Sequence, residues 1–297
     1  MPLRVAVIGP KGQCGSCVVE ELLSRGHTVV GISRKPPAQL HDKNERYSGL
    51  AVDIYDHQGL VDAMSDNFDG IVSAFSPPLN DLNTVYHGVV EGQMRIKNAL
   101  LESTHSGPFI IVGGAGSLFN EDGVQLVDEK DFPFQHWYDW PDQHLFYMKE
   151  RAIAHGSRFI VIVVSLFRWS RNTIESKSLF SKPLKPIAWL ILSRLKPFFL
   201  SGPGKSLIEG CRVALSFYTG VTEKPWSFLS PPWLLRDQGV RTGQYSLTLD
   251  KIPIDDKGNA LGIYNEDMAV AIVDEVENNR LNHKHWSCSG PIGLGKW

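Results

Sequence analysis

Long apolar runs are scarce in this chain of 297 residues. The two strongest, FIVIVVSLF at 159–167 and PIAWLILSRLKPFFL at 186–200, fall short of the ~20 residues a membrane-spanning helix needs. Cysteine is sparse at four, and two of the four, Cys14 and Cys17, share one turn. That fits reduced thiols better than a disulfide framework, with a redox pair as the other use of the Cys14-x-x-Cys17 spacing. No block of one charge sign is sustained: 30 Lys and Arg stand against 32 Asp and Glu, for a formal net charge of −2. The electrostatic footprint of a nucleic-acid partner is therefore missing, and none is expected. No basic segment followed by an apolar one opens the chain, so a cytoplasmic location is expected. No metal site is expected either.

What is present is a 42% hydrophobic composition, enough to bury a large core. The opening stretch LRVAVIGPKGQCG carries an alternating apolar run (Val5, Val7, Ile8) into Gly9-x-x-Gly12-x-x-Gly15, after which Val18, Val19, Leu22 and Leu23 follow a helical period. Strand, glycine turn and helix in this order bring backbone N–H groups at a helix N-terminus up to a pyrophosphate, with no Cβ in the way. Gly9, Lys11, Gly12, Gln13, Cys14 and Gly15 are thus candidate dinucleotide contacts; a tight turn packed without a ligand is the other reading.

A second strand over 28–33 ends on Ser33-Arg34-Lys35, about 20 residues beyond the glycines, where a site built for NAD places Asp or Glu. Arg34 and Lys35 suit the 2′-phosphate of NADP(H) instead, or form a solvated basic loop. A third strand over 50–54 puts Asp53 and Ile54 at the adenine end, with Asp53 either meeting the adenine amino group or capping a helix over 57–64. A fourth, over 69–76 and stopped by Pro77-Pro78, aims Ala74 and Phe75 at the nicotinamide ribose. A helix over 82–101, with Val85, Val89, Met94 and Leu100 apolar, leads to a fifth strand over 108–112 that runs into Gly113 and Gly114. This alternation predicts an α/β fold with a doubly wound parallel sheet and ligand across the carboxyl ends of the strands; together with the glycine turn it makes the fold Rossmann-like and NAD(P)-binding.

Residues 119–140 lose the pattern and gather acids and aromatics, as binding loops do. The sheet resumes over 224–232, a small hairpin is expected around Asp255-Asp256-Lys257-Gly258, and Asn265 is expected to cap a helix carrying Ala269, Ile272, Val273 and Val276.

With these pieces in order the chain resembles the atypical short-chain dehydrogenase/reductase superfamily, within it the NAD(P)H-binding, NADH-flavin-reductase-like group. The resemblance rests on the glycine turn, on Val112-Gly113-Gly114-Ala115-Gly116-Ser117-Leu118 with Leu126-Val127-Asp128, and on Asp131-Phe132-Pro133. It continues through Trp226-x-Phe228-Leu229-Ser230-Pro231, Arg241-Thr242-Gly243-x-Tyr245, and Glu266-Asp267-x-Ala269-x-Ala271 with Asp274-Glu275-x-Glu277. Two departures stand out. An insertion over 157–209, carrying both apolar runs flanked by Lys182, Lys185 and Lys196, interrupts what otherwise reads as one domain over 1–297; a membrane-surface hairpin over 159–200 is one use for it, packing on its own domain the other. The superfamily's Tyr-x-x-x-Lys pair is absent, because Tyr138 is followed four residues on by Asp142 and Tyr147 by Arg151.

The resemblance implies an NADPH-dependent reductase. Without the Tyr/Lys pair, a conjugated acceptor such as a flavin or quinone is favoured, because it takes hydride at a ring atom and draws its proton from water. Ser117 is the candidate hydroxyl near the nicotinamide, and Tyr138 and His136 are candidate proton donors, with His136 otherwise read as a solvated loop residue. Phe134, Trp137, Tyr138, Trp140 and Trp233 are candidates for stacking, or pack under the insertion. The alternatives are an NADPH sensor without turnover, and a reductase, epimerase or dehydratase of a small metabolite. The oligomeric state is open.

Overall fold

The computed structural model describes residues 1–37, 45–77, 84–154, 156–201 and 203–292, with 203 and 204 by backbone only. The chain runs β1 (Arg4–Ile8), α1 (Gln13–Ser24), β2 (Thr28–Ser33), β3 (Tyr47–Ala51), α2 (His57–Met64), β4 (Gly70–Ser73), α3 (Val85–Glu102) and β5 (Phe109–Val112). Short 3₁₀ turns at Ala115–Ser117 and Leu126–Asp128 precede α4 (Phe134–Asp139), α5 (Asp142–Ala154), α6 (Arg158–Glu175), a 3₁₀ segment at Leu179–Leu184 and α7 (Lys185–Leu200). There follow α8 (Pro203–Tyr218), β6 (Ser227–Leu229), β7 (Leu234–Arg236), β8 (Ser246–Leu249), β9 (Gly262–Tyr264), α9 (Asn265–Asn278) and β10 (Lys284–Ser289). Compactness divides the chain into one unit of Met1–Leu126 with Leu207–Ile292 and another over Val127–Ser206.

The first unit is built on a sheet of order β3-β2-β1-β4-β5-β6-β10-β8, parallel throughout except for the antiparallel β10–β8 edge. Strand alternation decides which core each side chain enters. Val5, Val7, Val29 and Val72 point to one face, where α1 (Val18, Val19, Leu22) and α9 (Met268, Ile272, Val273, Val276) cover them. Ala6, Ile8, Val30 and Ile71 point to the other, under α2 (Leu60, Met64), α3 (Ile96, Leu100) and α8 (Ala214, Tyr218). Helices on both faces of a mainly parallel sheet are the doubly wound, Rossmann-like arrangement.

Several boundaries differ from the sequence reading, each for a physical reason. The third strand is Tyr47–Ala51 rather than 50–54: Tyr47 pairs with Val29, and its phenol lies where a Cβ on Gly31 would stand. Asp56, not Asp53, caps α2 by accepting from Gly59 N at 3.1 Å. Asn265 does not cap α9; it is the helix's first residue and wholly buried. Met94 faces outward, 41% exposed. Pro78 and Leu82 lie outside the described residues. At the turn expected around Asp255 to Gly258, an antiparallel bridge joins Ile254 and Ala260. Residue 209 falls inside α8, whose Gly210 sits against Val89, so the second unit both begins and ends earlier than the block at 157–209.

In the second unit the aromatic residues pack on the helices. Phe134 meets Phe167 and Phe199 edge-on, and Trp137 stacks on Trp140 with ring centroids 4.8 Å apart. Asp142 takes a bidentate pair from Arg168 (2.6 and 2.8 Å) and a third bond from Arg171. With Arg168 as the main cause, its carboxyl is held down at about 2.

On the first unit's α1–α9 face, Arg25 bridges the two helices. It bonds Glu21 (2.7 Å), Asp274 (2.6 Å) and Glu277 (2.7 Å). Glu21 is 4% exposed; burial works to raise its pKa, but hydrogen bonds from Arg241 and Arg25 outweigh it and hold the carboxyl down. Arg25→Met leaves three carboxylates short of a partner, one of them buried, and is expected to cost about 2–4 kcal/mol in urea unfolding at neutral pH. A loss below ~1 kcal/mol would mean the cluster is solvent-screened.

Candidate functional site

The turn after β1 is set by two glycines that have no room for a side chain. Gly9 has φ +81°, and a Cβ there would stand 2.7 Å from Ala74 O at the end of β4; a Cβ on Gly15 would overlap Gly9 O. Gly12 is different. It sits at the N-cap of α1 with ordinary φ of −67°, and a Cβ there would meet only Gly9 O at 3.5 Å and Ala74 O at 3.8 Å. Internal packing therefore does not require glycine at 12. What its missing side chain leaves open is the approach to the N-terminus of α1, which no side chain caps.

That approach opens into a cavity of about 290 Å³ at the carboxyl ends of β1, β2 and β4. It gathers Gly9, Lys11 and Gly12 from the turn, Ser33 and Arg34 from the end of β2, Asp53 and Ile54 after β3, and Ala74 and Phe75 after β4. All but Ser33 are residues the sequence nominated. Lys11 and Arg34 are exposed and form no hydrogen bond or ion pair with the described residues. The Ser33 hydroxyl is buried without a partner, a donor that sequence reasoning passed over because a serine at a strand end carries no signal of its own. Asp53 Oδ1 accepts from Tyr55 N at 3.1 Å. An open Gly12, with two cations and a hydroxyl that lack partners among the described residues, leaves this cavity room and donors for a dinucleotide.

Other nominated residues lie elsewhere. Gln13, Cys14, Gly15 and Lys35 do not line the cavity, nor do Gly113 and Gly114. The last two have packing reasons to be glycine: a Cβ on Gly113 would overlap the Phe228 ring, and one on Gly114 would stand 2.9 Å from Cys211 Sγ. Cys14 Sγ lies 3.8 Å from Asn265 Oδ1. Burial, with Glu266 and Glu20 near, pushes the Cys17 thiol up to about 11, against the thiolate a redox pair needs.

Ser117 is wholly buried, with Oγ donating to Gly114 O at 2.8 Å and 2.6 Å from Ser230 Oγ. Ser230 Oγ is 2.9 Å from His285 Nε2, and His285 Nδ1 is 3.2 Å from Asp250 Oδ1. These four side chains, scattered from 117 to 285, form one chain of hydrogen bonds that no local motif announces, buried at Ser117, Ser230 and His285 and reaching solvent at Asp250. It borders a recess of about 810 Å³ lined by Trp226, His283 and Lys284, which lies where β6 and β10 begin, not at the carboxyl ends where such sheets bind ligands. In the second unit, burial raises the Tyr138 phenol pKa, His136 Nε2 is 2.6 Å from Glu129 Oε2, and Arg151 donates to the Tyr147 hydroxyl at 3.0 Å. The Tyr147 side chain is buried.

Comparison with known proteins bears on the fold. Residues 5–131 match the model of the NAD dependent epimerase/dehydratase family. Cinnamoyl-CoA reductase 1 of Arabidopsis thaliana is 29% identical over 151 residues, which covers 45% of this chain and 43% of that protein, so the chain spans less than half of its relative's length. The fold is that of a candidate epimerase from Bacteroides thetaiotaomicron (TM-score 0.64, 22% identity, 99% of this chain and 100% of that one). It is also that of a candidate NADH-flavin reductase from Streptococcus pneumoniae (TM-score 0.62, 21% identity, 97% and 100%).

Two expectations follow. Gly12→Val has room to fold, yet its branched side chain fills the cradle. NADPH titration is expected to show at least about a 30-fold loss at an unchanged thermal midpoint, whereas Gly15→Ala is expected to lose about 2–3 kcal/mol of stability through overlap. Separately, burial holds His285 below its ordinary range despite Asp250, and lowers His105 likewise. The unfolded chain then binds more protons than the folded one below about pH 6.5, so the thermal midpoint is expected to fall from pH 7.5 to about 5.5. The fall should be shallower in His285→Gln; a profile identical to the parent's would show that this ring does not carry the effect.

Proposed function

We propose that this chain, a Rossmann-fold NAD(P)-binding protein whose residues 5–131 match the epimerase/dehydratase family, is a reductase that uses NADPH in preference to NADH. The observation that carries the preference is the end of β2. Where a ribose-binding carboxylate would stand in an NAD site, the cavity presents the Ser33 hydroxyl and the Arg34 guanidinium, both without partners among the described residues. Gly9, Gly12 and the start of α1 would hold the pyrophosphate, Asp53 and Ile54 the adenine end, and Ala74 and Phe75 the nicotinamide end. The bound nicotinamide supplies a hydride. Lys11 and Arg34 supply positive charge at the cavity mouth, and Phe75, backed by Gly92 of α3, gives it an apolar wall that excludes water.

The acceptor class we propose is a flat conjugated molecule, a flavin or quinone, which takes hydride at a ring atom and does not depend on a Tyr-x-x-x-Lys proton donor. The role we give Ser117 is positional: its bonds to Gly114 O and Ser230 hold the turn that follows β5.

Arg34→Ala tests the reading. Because the guanidinium is exposed, its contact to phosphate belongs at the lower end of charge-assisted bonds, and NADPH affinity is expected to fall about tenfold while NADH affinity is unchanged. Equal loss for both nucleotides would overturn the preference. NADPH oxidation with a panel of flavins and quinones tests the acceptor; tight binding with no turnover across the panel would turn the assignment to a sensor.

A further inference from the structure

The second unit carries a charge imbalance that the composition of the whole chain conceals. Between residues 157 and 206 there are nine Lys and Arg and one acid, Glu175, in a chain whose formal net charge is −2. Three of the nine are held internally by carboxylates: Arg168 and Arg171 by Asp142, and Lys196 by Asp131. Arg158, Lys177, Lys182 and Arg194 are exposed, and their side chains form no hydrogen bond or ion pair with the described residues.

The same segment displays apolar side chains outward. On α6, Phe159, Ile162, Leu166 and Trp169 recur at three- and four-residue spacing and are 39–58% exposed, while Val163, Val164 and Phe167 on a neighbouring face are buried. The 3₁₀ segment presents Leu179 and Phe180, the latter 90% exposed, and α7 presents Ile187, Trp189 and Leu190, with Ala188 and Leu192 buried. So many large apolar groups left in water on adjacent helices mark a binding surface rather than scattered exposure.

We propose that this helical pair is an in-plane anchor for an anionic lipid bilayer. No helix among the described residues is long and apolar enough to cross a membrane, so the segment lies on the surface. Two tryptophans and two phenylalanines among the outward residues are side chains suited to the depth of the headgroups. Cations with no internal carboxylate are what an anionic leaflet attracts. The exposed cations Arg158, Lys177, Lys182 and Arg194 also set this segment against a second copy of itself, because pairing like with like would concentrate positive charge.

The test is co-sedimentation of the full chain with vesicles of phosphatidylcholine alone and of phosphatidylcholine with about 30 mol% phosphatidylserine. Binding is expected to the anionic vesicles, at least about tenfold weaker to the neutral ones, released by high salt, and accompanied by a blue shift of tryptophan emission. The triple variant Lys177→Gln, Lys182→Gln, Arg194→Gln is expected to bind about 100-fold more weakly, taking roughly fivefold per cation. Phe180→Ser with Trp189→Ser is expected to lose binding too; all five side chains are exposed, so an unchanged circular dichroism spectrum and thermal midpoint certify both variants. Failure of the parent chain to sediment with anionic vesicles would overturn the proposal, as would equal binding by the triple variant. Self-association lost with Phe180→Ser and Trp189→Ser, without vesicle binding, would overturn it in favour of an interface between copies.

Discussion

At the head of the first unit the backbone after β1 passes the end of β4 and turns back on itself so closely that neither Gly9 nor Gly15 can bear a side chain. Gly9 accepts the left-handed φ this demands, with Ala74 O at 2.7 Å from where its Cβ would be, and Gly15 lets the first turn of α1 press on Gly9 O. The rest of the site depends on that contact. It fixes where α1 starts, it aims the start of that helix into the gap between β1 and β4, and it leaves Gly12 as the one glycine of the three whose absent side chain serves space rather than packing. The helix is held from behind as well, by Arg25 reaching from α1 to α9.

How much of this the sequence discloses depends on how local the cause is. β2 and α2 fall where the residues place them, because the apolar run of one and the helical apolar period of the other are read within a few positions, although the cap of α2 is Asp56 and not the expected Asp53. Eight of the cavity's residues were nameable for the same reason: each stands at the end of a strand, where a doubly wound sheet must put its ligand. β3 was displaced because its start is chosen by the space over Gly31, a contact across strands that no run of residues reveals. The chain from Asp250 through His285 and Ser230 to Ser117 was illegible for a stronger reason. Its members come from separate parts of the chain, and only the sheet brings them within hydrogen-bond reach. Gly113 and Gly114 look like cofactor glycines in sequence, yet Phe228 and Cys211 account for them.

The second unit shows the opposite limit. Its apolar runs are plain in the sequence, but which residues face outward is not, since Phe159 and Phe167 sit in one run and only Phe167 is buried. Its aromatic cluster, which suggested a stacking surface, forms a packed core with Phe167 and Phe199. Taken together, the two proposals narrow the acceptor: a reductase held on a lipid surface meets quinones dissolved in the bilayer sooner than flavins dissolved in water.

The claim on which the rest hangs is that the cavity behind Gly12 is where the dinucleotide sits. Hydrogen–deuterium exchange with and without saturating NADPH tests it directly. Protection is predicted at the glycine turn 9–15, at 33–34, at 53–55 and at 74–76, with the recess beside Trp226 and His285 unchanged. Protection confined to that recess, or absent from the turn in a chain that binds NADPH, would contradict it.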